Sequence, residues 1–257
     1  MSRLLNKSLT SLKKDGLVKT AWRVAKHLHW LVKRSWFERK VLKHKNIEDR
    51  FTEIYKHNYW GSQESVSGAG STLEYTANLR RKLPDLFERF SIRTVFDAPC
   101  GDFNWMRHVL KDTNPEYIGG DIVAPLIDTL KSKYANEKIR FLHLDLIRDA
   151  FPEADLMICR DCLFHFSFHD TKLVLGNFVD SKTRYFLTTT HIHSEPFQNR
   201  DIATGDYRSV DLFGAPYNLP RDVLYRIEDW KAPAPVGEMC LWTRDQIIGA
   251  LKEYYSD

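Results

Sequence analysis

The fold is decided by the stretch Val95-Phe96-Asp97-Ala98-Pro99-Cys100-Gly101-Asp102-Phe103-Asn104-Trp105. It predicts a short apolar strand that ends in an acidic residue, a tight turn through small residues, and the start of a helix. In an open α/β sheet such a turn lies outside the carboxyl ends of the strands, where ligands bind. Asp97 can accept a hydrogen bond from a ligand ammonium, and Gly101 lets the backbone approach without a Cβ in the way. The alternative is an ordinary strand-to-helix turn in which Asp102 caps the helix.

From this turn onward, predicted strands and helices alternate. The strands fall at 94–96, 117–120, 139–144, 154–159 and 184–189, and the helices at 103–110, 125–134 and 170–179. This βαβ order predicts a Rossmann-like α/β fold, with a mostly parallel sheet and helices on both faces. Prolines interrupt the pattern later, where we expect a terminal antiparallel pair of strands at 223–227 and 239–242 and a last helix at 245–255.

Acidic residues end the next two strands as well. Asp121 comes 24 positions after Asp97, a spacing at which a carboxylate can accept both hydroxyls of a ribose. Asp145 ends the third strand, where an adenine amino group can be recognised. Each acid alone fits a helix cap or a surface charge, but three acids at successive strand ends indicate one ligand site.

These features resemble the successive motifs of the class I S-adenosylmethionine-dependent methyltransferases, over roughly residues 90–190. The resemblance implies that S-adenosylmethionine is the cofactor. It assigns the methionine part to Asp97 and Gly101, the ribose to Asp121, and the adenine to Asp145 with Leu146. The remaining residues that it places in the cofactor site are Trp60, Pro99, Ile122 and Arg160.

The resemblance is incomplete in the first motif, where Pro99 and Phe103 stand in place of two of the three usual glycines. Pro99 lacks an N–H and fixes its own φ, so the family's backbone contacts do not transfer in detail. Residues 60–61, 67–71 and 201–206 resemble a branch of the family that is associated with glycan modification. This implies an O-methyltransferase acting on a sugar hydroxyl of a glycan or lipid-linked saccharide. An RNA or a small-molecule acceptor stays open.

Candidate catalytic residues follow the fourth and fifth strands. In the family, side chains just beyond the fourth strand face the sulfonium methyl, so Asp161 and His165 are candidates to position or deprotonate an acceptor hydroxyl. Histidine is the usual base near neutral pH. His191 or His193, after the fifth strand, is an alternative base. The competing interpretation places Asp161 on the cofactor or at a helix end and packs His165 among apolar neighbours.

No metal ion is expected. The histidines after the fifth strand lack the Asp-Asp-Asn set of the metal-assisted O-methyltransferases, and Cys159 with Cys162 lacks the second pair that a structural zinc needs. Buried, inert thiols are the expected state. An Asn-Pro-Pro-Tyr motif is also absent, which disfavours N-methylation of adenine or glutamine.

Three regions are predicted along the chain. Residues 1–50 form a basic helical extension, residues 51–90 a helical lid and cap, and residues 91–257 the methyltransferase domain. Within the second region, the loop at 58–72 is expected to cover the cofactor. Ser71 and Glu74 have the spacing of a capping box that starts a helix.

Charge is divided unevenly along the chain. Residues 1–45 hold 13 Lys or Arg and two acidic residues, a net +11, whereas the whole chain carries +4 and the remainder therefore −7. The acidic remainder would repel a phosphate backbone, so no nucleic-acid partner is expected. At 17–32, apolar and basic residues fall on opposite sides of a helix that is too interrupted to span a bilayer. It could lie on an anionic membrane or in a partner's groove, or be an ordinary packed helix.

Two other function classes share some of these features. A nicotinamide-dependent oxidoreductase has the same βαβ layout, but G-x-G-x-x-G is missing after the first strand. A non-catalytic module that binds a membrane or a partner through residues 1–45 is the second alternative. Four cysteines and no recognisable secretory signal favour the cytoplasm, where the protein would be free or peripheral on the inner face of the membrane.

Overall fold

The computed structural model describes residues 19, 21–29 and 31–254. Of the predicted basic extension, residues 1–18, Thr20 and Trp30 lie outside the described residues, as does the end of the predicted last helix at 255. Contacts within the chain divide it into two compact units, Met1–Lys45 and Asn46–Asp257.

The first unit is helical where it is described. Residues 21–29 and 31–37 are helical, and a π-helical turn, Glu38–Leu42, follows. The apolar side chains of Val24, Leu28, Leu31 and Val32 are exposed. Among the described residues, none of the helices has the length and apolar character needed to cross a bilayer.

The second unit contains one sheet, whose described strands number seven. Its spatial order is β3-β2-β1-β4-β5-β7-β6. Strands β1 to β5 run parallel, whereas β7 is antiparallel to both β5 and β6. The predicted mostly parallel α/β sheet is confirmed, and so is the terminal antiparallel pair. The strands are β1 Thr94–Asp97, β2 Glu116–Asp121, β3 Ile139–His143, β4 Leu156–Cys159, β5 Tyr185–His191, β6 Tyr225–Glu228 and β7 Gly237–Thr243.

Helices cover both faces of this sheet because successive side chains of each strand point to opposite sides. In β1, Val95 packs in one apolar core with helices α2, α3 and α4, while Phe96 packs in the other with α5 and α6. This double burial explains the almost continuous apolar strands. The helices are α1 Ile47–Lys56, α2 Ala77–Arg89, α3 Met106–Asp112, α4 Ala124–Tyr134, α5 Phe168–Asp180 and α6 Arg244–Tyr254.

Two predicted helix starts are wrong. Helix α2 begins at Ala77, because Ser71 closes a 3-10 turn and the exposed Glu74 pairs with Lys231 at 2.9 Å instead of capping a helix. Helix α3 begins at Met106 and not at Phe103, whose φ of +60° continues the turn after β1. Both errors lie in the segments that reach the carboxyl edge of the sheet.

Candidate active site

A cavity of about 1040 Å³, counted with its open mouth, lies at the carboxyl ends of β1, β2 and β4. Every residue that the sequence assigns to the cofactor site lines it, and so do Asp161 and His165, whereas His191 is not among its lining residues. Helix α1 and the segment 60–71, called the strap below, complete the wall. The lining residues assigned from the sequence are Trp60, Asp97, Pro99, Gly101, Asp121, Ile122, Asp145, Leu146 and Arg160.

Asp97, the last residue of β1, is almost completely buried at 2% exposure. Its Oδ2 accepts a hydrogen bond of 2.7 Å from the Tyr117 hydroxyl of β2. Burial raises the pKa of the Asp97 carboxyl to about 7, and the Tyr117 hydrogen bond opposes that rise. Sequence reasoning missed Tyr117, whose only signal was a polar-tipped aromatic residue in a buried strand.

The turn after β1 is built around Gly101, which has a φ of +52°. A Cβ at this position would overlap the Ser67 hydroxyl oxygen, which accepts from the Asp102 backbone N–H at 2.9 Å. The Asp102 carboxylate accepts from the Val66 N–H at 2.9 Å and the Asn104 N–H at 3.2 Å. Asp102 therefore holds the strap to this turn. The N-cap residue of α3 is Trp105 and not Asp102.

The strap is also fastened further along its length. The Asn104 amide donates to Glu64 Oε1 at 2.8 Å and to the Ser71 carbonyl at 3.0 Å. The Arg160 guanidinium donates to the Gly70 carbonyl at 2.9 Å. These bonds hold the predicted lid segment against the cavity, with Trp60 on its wall.

Asp121 ends β2 with both carboxylate oxygens in hydrogen bonds. Oδ2 accepts from the Gly101 N–H at 3.1 Å and Oδ1 from the Val123 N–H at 3.0 Å. Burial nevertheless raises the pKa of this carboxyl to about 6, since it outweighs the backbone donors. A carboxylate has about four lone-pair sites, so with backbone donors from Gly101, Ile122 and Val123 it still has capacity to accept from a ligand hydroxyl.

Asp145, after β3, is half-buried and accepts from the Ile147 N–H at 2.9 Å. Leu144 and Leu146, on either side of it, are buried and line the cavity. This end of the cavity thus combines an apolar wall with one carboxylate.

Arg160 follows β4 and carries the cavity's buried positive charge. Its Nε lies 2.6 Å from Asp229 Oδ2, its Nη2 lies 3.1 Å from Asp229 Oδ1, and its Nη1 lies 3.1 Å from Asp161 Oδ2. Burial opposes the charge, but the two carboxylates hold the pKa of Arg160 above its ordinary value. Sequence reasoning missed Asp229, because it lies 69 positions away in the irregular tail.

Asp161 has a φ of +50°, which turns its side chain toward the cavity. Its Oδ1 accepts from the Thr189 hydroxyl at 3.2 Å, and Thr189 in turn accepts from the Asp161 N–H at 2.9 Å. The side chain remains about one-third exposed, at 32%. Asp161 is therefore an oriented carboxylate that a second ligand can reach.

His165 is half-buried on the cavity wall, with its Nδ1 2.8 Å from the Asp206 carbonyl oxygen. A carbonyl only accepts, so Nδ1 carries the proton and Nε2 keeps its lone pair. The ring centroids of Trp60 and Tyr207 lie 5.7 and 5.9 Å from that of His165. Burial lowers the pKa of His165 to about 4, so the imidazole is neutral at physiological pH.

The other two candidate histidines occupy different environments. His191 Nδ1 accepts from the Val210 N–H at 3.1 Å, and the ring packs on Phe164 at 5.3 Å. Its available lone pair is thus used in the fold. The His193 ring stacks on Phe197 with centroids 3.6 Å apart. Neither histidine lines the cavity.

The four cysteines are free and buried. Burial raises the pKa of the Cys100 and Cys162 thiols well above the ordinary value. The described residues contain no group of three or more His, Cys, Asp or Glu side chains arranged to hold a metal ion.

Solved structures share this architecture. Human N-acetylserotonin methyltransferase, in complex with S-adenosylmethionine, is 15% identical with a TM-score of 0.54 over 91% of this chain and 68% of that one. Magnesium protoporphyrin IX methyltransferase of Synechocystis PCC 6803, with bound S-adenosylhomocysteine, is 10% identical with a TM-score of 0.52 over 77% and 98%. The chain has the methyltransferase fold.

A third structure with this methyltransferase fold is 1,6-didemethyltoxoflavin-N1-methyltransferase of Burkholderia thailandensis, with bound 1,6-didemethyltoxoflavin and S-adenosylhomocysteine. It is 16% identical with a TM-score of 0.54 over 77% of this chain and 86% of that one. A scan against protein-family models gives no match, and a search of curated proteins gives none either. At these identities the likeness concerns the fold.

Proposed function

We propose that this chain is an S-adenosylmethionine-dependent methyltransferase that binds its cofactor in the cavity at the carboxyl ends of β1 and β2. The observation that carries the proposal is the pair of buried carboxylates, Asp97 and Asp121, on either side of the Gly101 turn in a methyltransferase fold. The three neighbours above were solved with S-adenosylmethionine or S-adenosylhomocysteine.

The chemistry of the cavity fits this cofactor. A cationic ammonium would be stabilised by the Asp97 carboxylate, whose Oδ2 accepts a hydrogen bond from the Tyr117 hydroxyl. The free lone pairs of Asp121 suit the ribose hydroxyls, and the apolar wall beside Asp145 suits an adenine ring. Asp161 and His165 line the same cavity, so an acceptor held by them would lie beside the cofactor.

S-adenosylmethionine, when bound, supplies a methyl group on a positively charged sulfur. The chain's own contribution is to hold the acceptor hydroxyl in place, with its proton accepted by the free Nε2 of His165. We assign to Asp161 the orientation of that hydroxyl, because its carboxylate is fixed by Thr189 and faces the cavity. The fastened strap forms one wall of the cavity beside the cofactor.

We further propose that the acceptor is a sugar hydroxyl, on a glycan or a lipid-linked saccharide. Trp60 and the exposed Tyr207 flank His165, so a sugar ring can stack there with a hydroxyl at Nε2. Tyr217 and Phe213, two other aromatic residues of the tail, are not assigned to sugar stacking, because Tyr217 is buried and Phe213 packs against Trp242.

The proposal is tested by incubating the full chain with methyl-labelled S-adenosylmethionine and a panel of free sugars, oligosaccharides, lipid-linked saccharides and small aromatic hydroxyl compounds. We expect label in a saccharide methyl ether, formed about a hundredfold or more slowly with His165→Gln. Label only in the aromatic compounds would overturn the sugar assignment while keeping the methyltransferase. No label in any acceptor, from a protein that also fails to bind the cofactor, would overturn both.

A further inference from the structure

The helical residues 21–29 and 31–37 of the first unit expose two chemically opposite faces. At 100° per residue, Val24, Leu28, Leu31 and Val32 lie within a stripe about 100° wide. These side chains are 42%, 56%, 44% and 69% exposed. The basic residues Arg23, Lys26 and Lys33, all exposed, project from the opposite side.

Charge on this unit is almost entirely of one sign. Residues 1–45 carry a net +11, and in the described range 19–45 the one acidic residue, Glu38, pairs with Arg34 at 2.7 Å. Trp22, which is 60% exposed, lies at the edge of the basic face, with Lys26 Nζ 3.6 Å from the centre of its ring. An amphipathic indole at such an edge is typical of residues at a lipid–water interface.

We propose that this helix lies flat on an anionic lipid bilayer. The apolar stripe would enter the boundary between headgroups and acyl chains, and the basic face would contact the lipid phosphates and other anionic groups. Charge complementarity favours this partner over an uncharged protein groove, which would cover only the apolar stripe, and over a nucleic acid, which would engage only the basic face. An anionic bilayer engages both faces at once. The inference is independent of the catalytic proposal.

The test is co-sedimentation of the full chain with vesicles of phosphatidylcholine alone, or containing about one-third phosphatidylglycerol, at low and at physiological salt. We expect binding to the anionic vesicles that weakens as salt rises. Val32→Glu together with Leu28→Glu should reduce it at least tenfold, and Lys26→Gln with Lys33→Gln about fivefold for each charge removed. Leu28→Glu alone is matched by Leu173→Glu, which adds the same single charge at an exposed leucine of α5 and should bind like the parent.

Cofactor titration and thermal melting show whether each variant keeps a folded second unit. No binding by the folded parent would overturn the proposal, as would equal binding to both kinds of vesicle. Binding that survives Leu28→Glu and Val32→Glu would also overturn it, because charge alone would then suffice. Sedimentation velocity supplies the last check: a dimer abolished by the same variant, with no vesicle binding, would show that the stripe pairs with a second copy of the chain.

Discussion

Arg160 and Asp229 form a two-point ion pair in the cavity wall, with Nε 2.6 Å from Oδ2 and Nη2 3.1 Å from Oδ1. The pair joins the end of β4 to the segment after β6. Because Arg160 Nη2 also donates to the Gly70 carbonyl, the same guanidinium fastens the strap. The irregular tail of the chain thus contributes to the site, although the sequence motifs of the site all lie earlier in the chain.

Asp229→Asn should destabilise the fold strongly. Both side chains are buried, at 4% and 1% exposure, and removing the carboxylate leaves the Arg160 charge with Asp161 as its remaining ionic neighbour. We expect a loss of about 3 kcal/mol in the free energy of unfolding by urea. Lys231→Ala is the control, because it removes an exposed ion pair with Glu74 and should change the free energy of unfolding much less. Equal losses in the two variants would contradict the role of the buried pair.

Gly101→Ala should impair cofactor binding. Alanine at a φ of +52° is strained by about 1–2 kcal/mol, and its Cβ overlaps the Ser67 hydroxyl, so we expect at least a tenfold weaker Kd in calorimetry. Adding Ser67→Ala should restore part of the affinity by removing the overlapping oxygen. Gly176→Ala, in the middle of α5 with open space around it, should instead stabilise the protein by about 0.5–1 kcal/mol. An unchanged cofactor Kd in Gly101→Ala would refute the close approach of the cofactor to the Gly101 backbone.

His165→Gln should lower kcat by about a hundredfold or more while leaving cofactor affinity nearly unchanged, if Nε2 is the base. Burial lowers the pKa of His165 to about 4, so the parent's kcat should stay level from pH 7 to about 5 and fall only as pH approaches 4. A fall in kcat centred at about pH 6.5, the ordinary histidine pKa, would show that a residue other than His165 is the base. His191→Asn, which keeps an acceptor for the Val210 N–H, distinguishes the two histidines and should retain most of the activity.

Cofactor affinity should rise with pH up to about 7. Burial raises the pKa of Asp97 to about 7 and that of Asp121 to about 6, so near pH 6 both carboxyls hold protons that a bound cation would displace. Binding at pH 6 should therefore release protons, seen as a calorimetric enthalpy that depends on the buffer. Above about 8 the ligand's own α-amino group loses its charge and affinity should fall again.

Tyr117→Phe removes a hydrogen bond that favours the ionised carboxylate of Asp97, and should shift the rise in cofactor affinity to higher pH. Affinity independent of pH between about 6 and 7 would contradict an ionised Asp97 in the complex.

The parts of the site that depend on local sequence could be predicted. Asp97, Asp121 and Asp145 end strands with strong apolar patterns, and parallel strands bring their carboxyl ends to one edge. The strap loop was recognisable from its small residues. Predicting these features requires only the approximate positions of the strands. Errors of one or two residues at the strand ends leave the same side chains at the carboxyl edge of the sheet.

The parts that depend on distant contacts could not be predicted. Asp229 meets Arg160 across 69 positions, and Tyr117 meets Asp97 only because β1 and β2 pair in one particular register. The start of α3 was wrong because Phe103 adopts a left-handed backbone conformation that is uncommon for a residue with a side chain. His165 is separated from His191 by their hydrogen-bond partners and by its place in the cavity wall, and the sequence reveals neither.

The most direct test of the central claim is calorimetric titration of the full chain with S-adenosylmethionine and S-adenosylhomocysteine, with NAD as the control ligand. The comparison is with Asp121→Asn in the cavity and Asp128→Asn, an exposed acid of α4, outside it. We predict micromolar binding of both adenosyl ligands, no binding of NAD, and at least a tenfold loss in Asp121→Asn but not in Asp128→Asn. A folded protein that binds neither adenosyl ligand, or binds them equally well in all variants, would contradict the assignment of this cavity as the cofactor site.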